Sequence, residues 1–369
     1  MDDLFSHLIG NQRIKSNLTN ALHKGAFGQS LCFQGKEGIG KSLFARAFAK
    51  GIFSSDIPGF LARHPTVAYT HPDLVELKPA GKIGQHPIES VRRFCEEVYI
   101  APYEAQHKVF IIHDAERMLP TSANALLKTL EEPPAGVIII LLTESLQSLL
   151  PTIRSRLQTL YFESVDKEEI SVFLQQSHGL SREEADKISL ESFGSVGRAL
   201  NLHRGERDLS EDLIRFLMKG RKSYVELKQF INELDGRHAL KRKEAEEALL
   251  KALCETYREG DLSAKQRQEM EKQAEGMSAV ESLRESKSIL LSLLFFFRDL
   301  HVIYHGGQES FLAFRENACK LFDLATAKEP IPIEKVEAAV AESIIALERS
   351  TPLAACLENL FLKLKLVRF

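Results

Sequence analysis

A chain of 369 residues exceeds the ~100–200 typical of one domain, so two or three domains with real cores are expected. With 44% hydrophobic and 27% charged residues it has the composition of a globular protein, which excludes a fibre or a disordered tail. Its 48 basic residues against 51 acidic ones exclude a freestanding nucleic-acid binder that works by basic excess, so any DNA contact must use a local patch or charge borrowed from partners.

From the amino terminus, Ile14, Leu18, Ala21 and Leu22 share one face of a helix predicted over residues 11–24, and Gly25 and Gly28 end it. "SLCFQ" reads as a strand, followed by a glycine-rich turn and then a helix with Leu43, Phe44, Ala47 and Phe48 inward. Residues 54–72 show no clear period, and "DLVEL" reads as the next strand. Pro87 opens a helix that turns Ile88, Val91, Phe94, Cys95 and Val98 inward. "KVFII" and "VIIILL" are continuous apolar runs of the kind buried on both faces of a parallel sheet, with a helix carrying Ala123, Leu126, Leu127 and Leu130 between them. "LQTLYFE" is a last strand at residues 157–163. Short helices are then expected from Asp166, from Ser181 ("SREE" has capping-box spacing) and from Ser195. From about residue 208 the pattern is helical throughout, and "GRHALKRKEAEEALLKAL" reads as a solvated helix face. "ILLSLLFFFRDLHVIY" is too apolar for an exposed helix; packing against other subunits and burial in its own core explain it equally well.

Cys32, Cys95, Cys254, Cys319 and Cys356 are scattered and never form C-x-x-C, which suggests neither disulfides nor zinc and fits a reducing compartment. "MDDLF" is acidic where a signal peptide would be basic, and the longest greasy runs fall well short of the ~20 residues of a membrane span. A cytoplasmic protein without membrane contact is expected.

"GKEGIGKS", residues 35–42, fits G-x-x-x-x-G-K-[ST] between a predicted strand and a predicted helix. In such a loop Gly35, Gly38 and Gly40 let backbone N–H groups curl around a β-phosphate, Lys41 reaches the β and γ oxygens, and Ser42 offers its hydroxyl to Mg²⁺. ATP, with Mg²⁺ where it is bound, is the cofactor this loop would take. Hydrolysis also needs a metal-side aspartate at the end of a buried strand and a neighbouring glutamate to orient water. Here the strand ends "IIHDAE": His113 takes the first place and Asp114 the second, one methylene short. A register in which Asp114 holds the metal and Glu116 is the base stays open.

"NALLKTLEEPP" followed by "PTIRSR", together with "THPDLVEL" and the "VRRF…KVFII" frame, resembles the clamp-loader branch of the AAA+ ATPases and, within DNA polymerase III, its delta-prime type. The resemblance is strong over residues 6–160 and fades in the last third. It implies an AAA+ P-loop α/β domain with a parallel sheet at residues 1–163, a small helical lid at 164–207, and an all-α collar for oligomerisation at 208–369. It also implies that Arg156, in Ser155–Arg156–Leu157, stands where the family presents an arginine in trans to the next subunit's ATP, and that Thr143 takes the place of the polar sensor near the γ-phosphate. In "GSVGRAL" the lid's sensor arginine is replaced by Gly197, with Arg198 one step on and rotated about 100° around the helix. The family's zinc module of four cysteines is missing from residues 53–72, so zinc is not expected.

Partners implied are gamma/tau and delta subunits in a hetero-pentamer, with the sliding clamp and primed DNA reached through that complex. A stator that does not hydrolyse ATP follows from this pattern; an active motor subunit of the gamma/tau kind is the alternative. A P-loop nucleotide kinase shares only residues 35–42 and gives "LLKTLEEPP" no role.

Overall fold

The computed structural model describes residues 4–63, 71–204, 209–220, 222–255, 264–327 and 329–368. By contacts among residues the chain divides into two units, one of residues 1–80 with 85–206, the other of 207–369 with the tetrapeptide 81–84.

The first unit runs α1 (Gln12–Lys24), β1 (Ser30–Gln34), α2 (Lys41–Asp56), α3 (Phe60–Arg63), β2 (Leu74–Leu77), α4 (Ile88–Val98), β3 (Lys108–Ile112), α5 (Pro120–Glu131), β4 (Val137–Thr143), α6 (Pro151–Arg154), β5 (Gln158–Tyr161), α7 (Lys167–His178), α8 (Arg182–Glu191) and α9 (Val196–His203). Its strands form one parallel sheet in the order β2-β3-β4-β1-β5. The continuous apolar runs are explained by that position. Along β3 and β4, Val109, Ile111, Ile138, Ile140 and Leu142 enter a core shared with α1 and α2, while Phe110, Ile112, Ile139 and Leu141 enter a second core shared with α4, α5 and α6. Every residue of both strands is buried. Each such side chain contributes roughly 1.5–3 kcal/mol. The four-residue helix α3 lies in the stretch without clear period, of which residues 64–70 fall outside the described residues.

Asp166 caps α7 through the N–H of Glu168, Ser181 and Glu184 form a capping box on α8, and the Ser195 hydroxyl accepts from the Arg198 N–H to cap α9. These helices close on a small core of Val165, Ile170, Leu174, Ala185 and Ala199.

The second unit contains α10 (Leu209–Met218), β6 (Lys222–Ser223), α11 (Tyr224–Glu255), α12 (Ala264–Tyr304), α13 (Ala318–Ala327), α14 (Ile333–Glu348), α15 (Leu353–Lys363) and β7 (Val367–Arg368). Apart from the parallel β6–β7 pair, two residues long and too short to leave a period in the sequence, its regular elements are helical. The apolar run of α12 buries Ile289, Leu290, Leu293, Phe296, Phe297 and Leu300 in this unit's own core, beside Leu357, Leu360 and Phe361 of α15. Burial at home therefore accounts for most of that stretch. Among the described residues no helix is long and apolar enough to cross a membrane.

Candidate functional site

The loop of residues 35–42 follows β1 at the carboxyl edge of the sheet, where such folds place their ligands. The Gly35 N–H donates to the Thr143 carbonyl at 3.1 Å, which sets the loop directly beside the end of β4. Gly38 and Gly40 have φ of +69° and +96°, the left-handed region that favours glycine, and Gly40 is the N-cap residue of α2. Lys41 turns back on its own loop, its Nζ donating to the carbonyls of Gly35 at 2.6 Å and Lys36 at 2.8 Å. Ser42 stands on the first turn of α2 and is half-buried. Beneath the loop, burial, with the Glu116 carboxylate nearby, pushes the Cys32 thiol up to about 12, so it stays a neutral core residue.

The lid reaches this loop without a side chain between them. The Gly197 N–H donates to the Gly38 carbonyl at 2.8 Å. A Cβ on Gly38 would stand 2.2 Å from the Ser195 Oγ, and one on Gly197 would stand 3.0 Å from the Gly38 Cα. Arg198 lies over the Phe193 ring, 5.2 Å from its centroid.

His113, at the strand-end position of the expected metal-side carboxylate, faces β2. Its Nε2 lies 3.5 Å from Glu76 Oε2, and the same carboxylate takes a bidentate pair of hydrogen bonds from Arg46 on α2, at 2.6 and 2.8 Å, with Lys78 Nζ at 3.4 Å. Burial alone would raise the Glu76 pKa, but the neighbouring His113 imidazole and the hydrogen bonds from Arg46 hold it well below the usual carboxylate range. The His86 Nε2–H donates to the carbonyls of His113, at 2.7 Å, and Asp114, at 3.3 Å, while Ser122 donates to the His86 carbonyl. Because burial lowers the His86 pKa to about 4, the ring is neutral and fixes the strand end as a donor. Asp114 sits in the left-handed region at φ 48° and opens a short turn over residues 115–117.

Glu116, on that turn, comes beside Thr143. Burial pushes its pKa up, opposed by hydrogen bonding with Thr143, and its Oε2 is buried without a hydrogen-bond partner. The Thr143 hydroxyl donates to the Ser145 carbonyl at 3.1 Å. The fold thus gathers Gly35, Lys41, Glu116 and Thr143 at one edge.

Arg156 stands apart from this group, just beyond α6. Its backbone N–H donates to the Ile153 carbonyl, and its guanidinium donates to the Thr152 carbonyl, the Ser155 hydroxyl and the Glu131 carboxylate. Leu157, at the position of the family's cysteine, is half-buried against the second core and ties the arginine turn to β5.

Residues 10–166 match the family model described as DNA polymerase III, delta subunit. The DNA polymerase III subunit gamma of Buchnera aphidicola from Acyrthosiphon pisum is 30% identical over 211 residues, covering 54% of this chain and 57% of that protein. The gamma/tau subunit of Mycobacterium bovis is 31% identical over 160 residues, 41% of this chain and 27% of that one. Residues 10–166 are thus similar to DNA polymerase III delta and gamma subunits. The chain spans less than two thirds of the length of these relatives. Among solved structures, a gamma subunit-related protein of Thermotoga maritima aligns at 21% identity over 90% of this chain and 98% of that one, with a TM-score of 0.34. The RuvB branch migration motor of Thermotoga maritima aligns at 15% identity over 57% of this chain and 64% of that one, with a TM-score of 0.39.

The residues present fit half of what ATP with Mg²⁺ requires. The loop and the first turn of the sixteen-residue helix α2 offer backbone N–H groups and Lys41 to a polyphosphate. The metal side does not fit in the same way: the strand-end residue is an imidazole engaged by Glu76, and the Glu116 carboxyl is shifted toward its protonated form. Sequence reasoning did not identify Arg46, Glu76 or His86 as neighbours of this site. A lone charge inside "DLVEL" was the one signal that Glu76 has a specific partner.

Proposed function

We propose that this chain is a delta-prime-type stator of a DNA polymerase III clamp loader. It joins gamma/tau- and delta-type subunits in a ring, leaves hydrolysis to them, and offers Arg156 to the ATP of a neighbour. The sliding clamp and primed DNA are reached through the complex, in the cytoplasm, and the second unit serves as the collar.

The observation that carries this reading is the contact of the His113 imidazole with Glu76. A strand end that would have to ligate a metal shell is turned to a partly buried carboxylate already neutralised by Arg46. Gly197 supports it too, since the lid contributes backbone where a motor subunit needs a cation. Arg156, about one third exposed on a turn anchored by Ile153 and Leu157, has the chemistry of an arginine finger: planar, always charged and able to neutralise a γ-phosphate across an interface.

The test is Arg156→Ala in a complex reconstituted with gamma/tau- and delta-type partners. Assembly, read as complex mass, should be unchanged, and turnover at the affected site should fall about 10³-fold. Unchanged turnover would make Arg156 a purely structural residue.

A second reading, a motor subunit that uses Asp114 and Glu116, is favoured by one observation: the buried, unpartnered Glu116 Oε2 beside Thr143. Under it, Glu116→Gln abolishes an ATPase that the isolated chain would have to show.

A further inference from the structure

We propose that Glu131 is the positioning residue of the trans arginine. Together with the Thr152 carbonyl it holds the Arg156 guanidinium in the orientation that meets a neighbouring subunit's γ-phosphate. The inference rests on the stator reading and adds a residue to it.

Glu131 is the last residue of α5, Glu132 caps the helix, and Pro133 and Pro134 follow, so the helix cannot continue and Glu131 stays at its tip. The tip is anchored from below. Leu126, Thr129 and Leu130 are buried, and Leu126 and Leu130 share a core with Leu149 and Ile153, the residues that set α6 in place. Arg156 is tied to α6 by its N–H to the Ile153 carbonyl, at 3.0 Å. The carboxylate and the guanidinium therefore meet across one packed core. Of the five N–H groups a guanidinium offers, Glu131 takes one on Nη2, while Thr152 and Ser155 draw on Nη1. The remaining N–H groups are left for an anion.

Stability does not explain the placement. An acidic side chain in the last turn of a helix opposes the macrodipole. An exposed ion pair returns little, and here 46% of the Glu131 side chain is exposed. The two nearly cancel, so the fold has little to gain from this acid. A catalytic arginine does gain from it. A free arginine side chain carries rotamer entropy, and holding it in place beforehand removes that cost from the moment the interface forms. The carboxylate and the Thr152 carbonyl engage both terminal nitrogens and still leave N–H groups on the fork for an anion.

The experiment measures ATP turnover by the complex reconstituted with gamma/tau- and delta-type partners, carrying Glu131→Ala, Glu131→Gln, Arg156→Ala and the Glu131→Ala/Arg156→Ala pair. Glu131→Ala should lower kcat roughly tenfold to a hundredfold while KM for ATP moves within about twofold. Glu131→Gln, whose amide oxygen still accepts a hydrogen bond, should recover part of the loss. In the Arg156→Ala background Glu131→Ala should have no further effect, because it acts only through that arginine. Thermal melting of each variant chain and the mass of each complex serve as folding controls.

A rise in kcat for Glu131→Ala would make the pair a restraint and overturn the proposal. So would an unchanged kcat while Arg156→Ala is defective, or a double variant worse than Arg156→Ala alone. If Arg156→Ala itself has no effect, the stator reading falls and takes this inference with it.

Discussion

The backbone N–H of Gly197 donates to the carbonyl of Gly38 across 2.8 Å, joining the first turn of α9 to the phosphate loop. Both positions need glycine for the same close approach. At Gly38 a methyl group would meet the Ser195 hydroxyl at 2.2 Å on a backbone with φ of +69°, and at Gly197 it would press on the Gly38 Cα at 3.0 Å. The start of α9 is held on the loop by main-chain contact.

Gly38→Ala is therefore expected to destabilise the first unit by about 1–3 kcal/mol, from backbone strain and the clash together. Gly197→Arg, which puts a bulky cation at this close approach, is expected to break the same hydrogen bond and release the start of α9 from the loop. Hydrogen exchange should show faster exchange of the amides of residues 195–200 in both variants. Unchanged protection in Gly197→Arg would mean that the lid is held elsewhere.

His113→Asp places a carboxylate at the end of β3, where a metal-side aspartate would stand, but beside Glu76. The expected outcome is a loss of stability of about 1–3 kcal/mol, as an imidazole–carboxylate contact becomes a like-charge contact, with no gain of ATP hydrolysis. Urea denaturation and phosphate release measure the two effects. A gain of turnover would mean that the imidazole alone had been suppressing catalysis.

His86 gives a pH dependence whose sign can be worked out. Its usual pKa of 6.5 is lowered to about 4 in the folded chain, chiefly by burial. Between those values the unfolded chain binds the proton that the folded chain refuses, so stability rises with pH across the window. The contribution is fully present above pH 6.5, declines as pH falls toward 4, and amounts to roughly 3 kcal/mol. His86→Gln should flatten this part of the stability curve, read as the unfolding midpoint at pH 7 and pH 5.

The elements that depend on local pattern were legible in the sequence. β1, β3 and β4 announced themselves as apolar runs because a parallel sheet buries both faces of its central strands, and the lid helices announced themselves through Asp166, Ser181 and Ser195 at their N-caps. The loop of residues 35–42 was legible because its chemistry fixes glycine and lysine at set spacings. What remained hidden depends on residues far apart in sequence. Glu76 meets Arg46 and His113, Glu131 meets Arg156, and Gly38 meets Gly197 only once the sheet and lid have assembled. For α12 the composition could not separate a subunit interface from a private core; burial of Leu293 and Phe296 against α15 residues did.

The most direct test of the central claim is steady-state phosphate release from ATP by the isolated chain, with and without primed DNA. A phosphate loop whose metal-side position is an imidazole held by Glu76 is expected to give no turnover above the blank in either condition. Turnover at the level of a motor subunit, abolished by Asp114→Asn or Glu116→Gln, would contradict it.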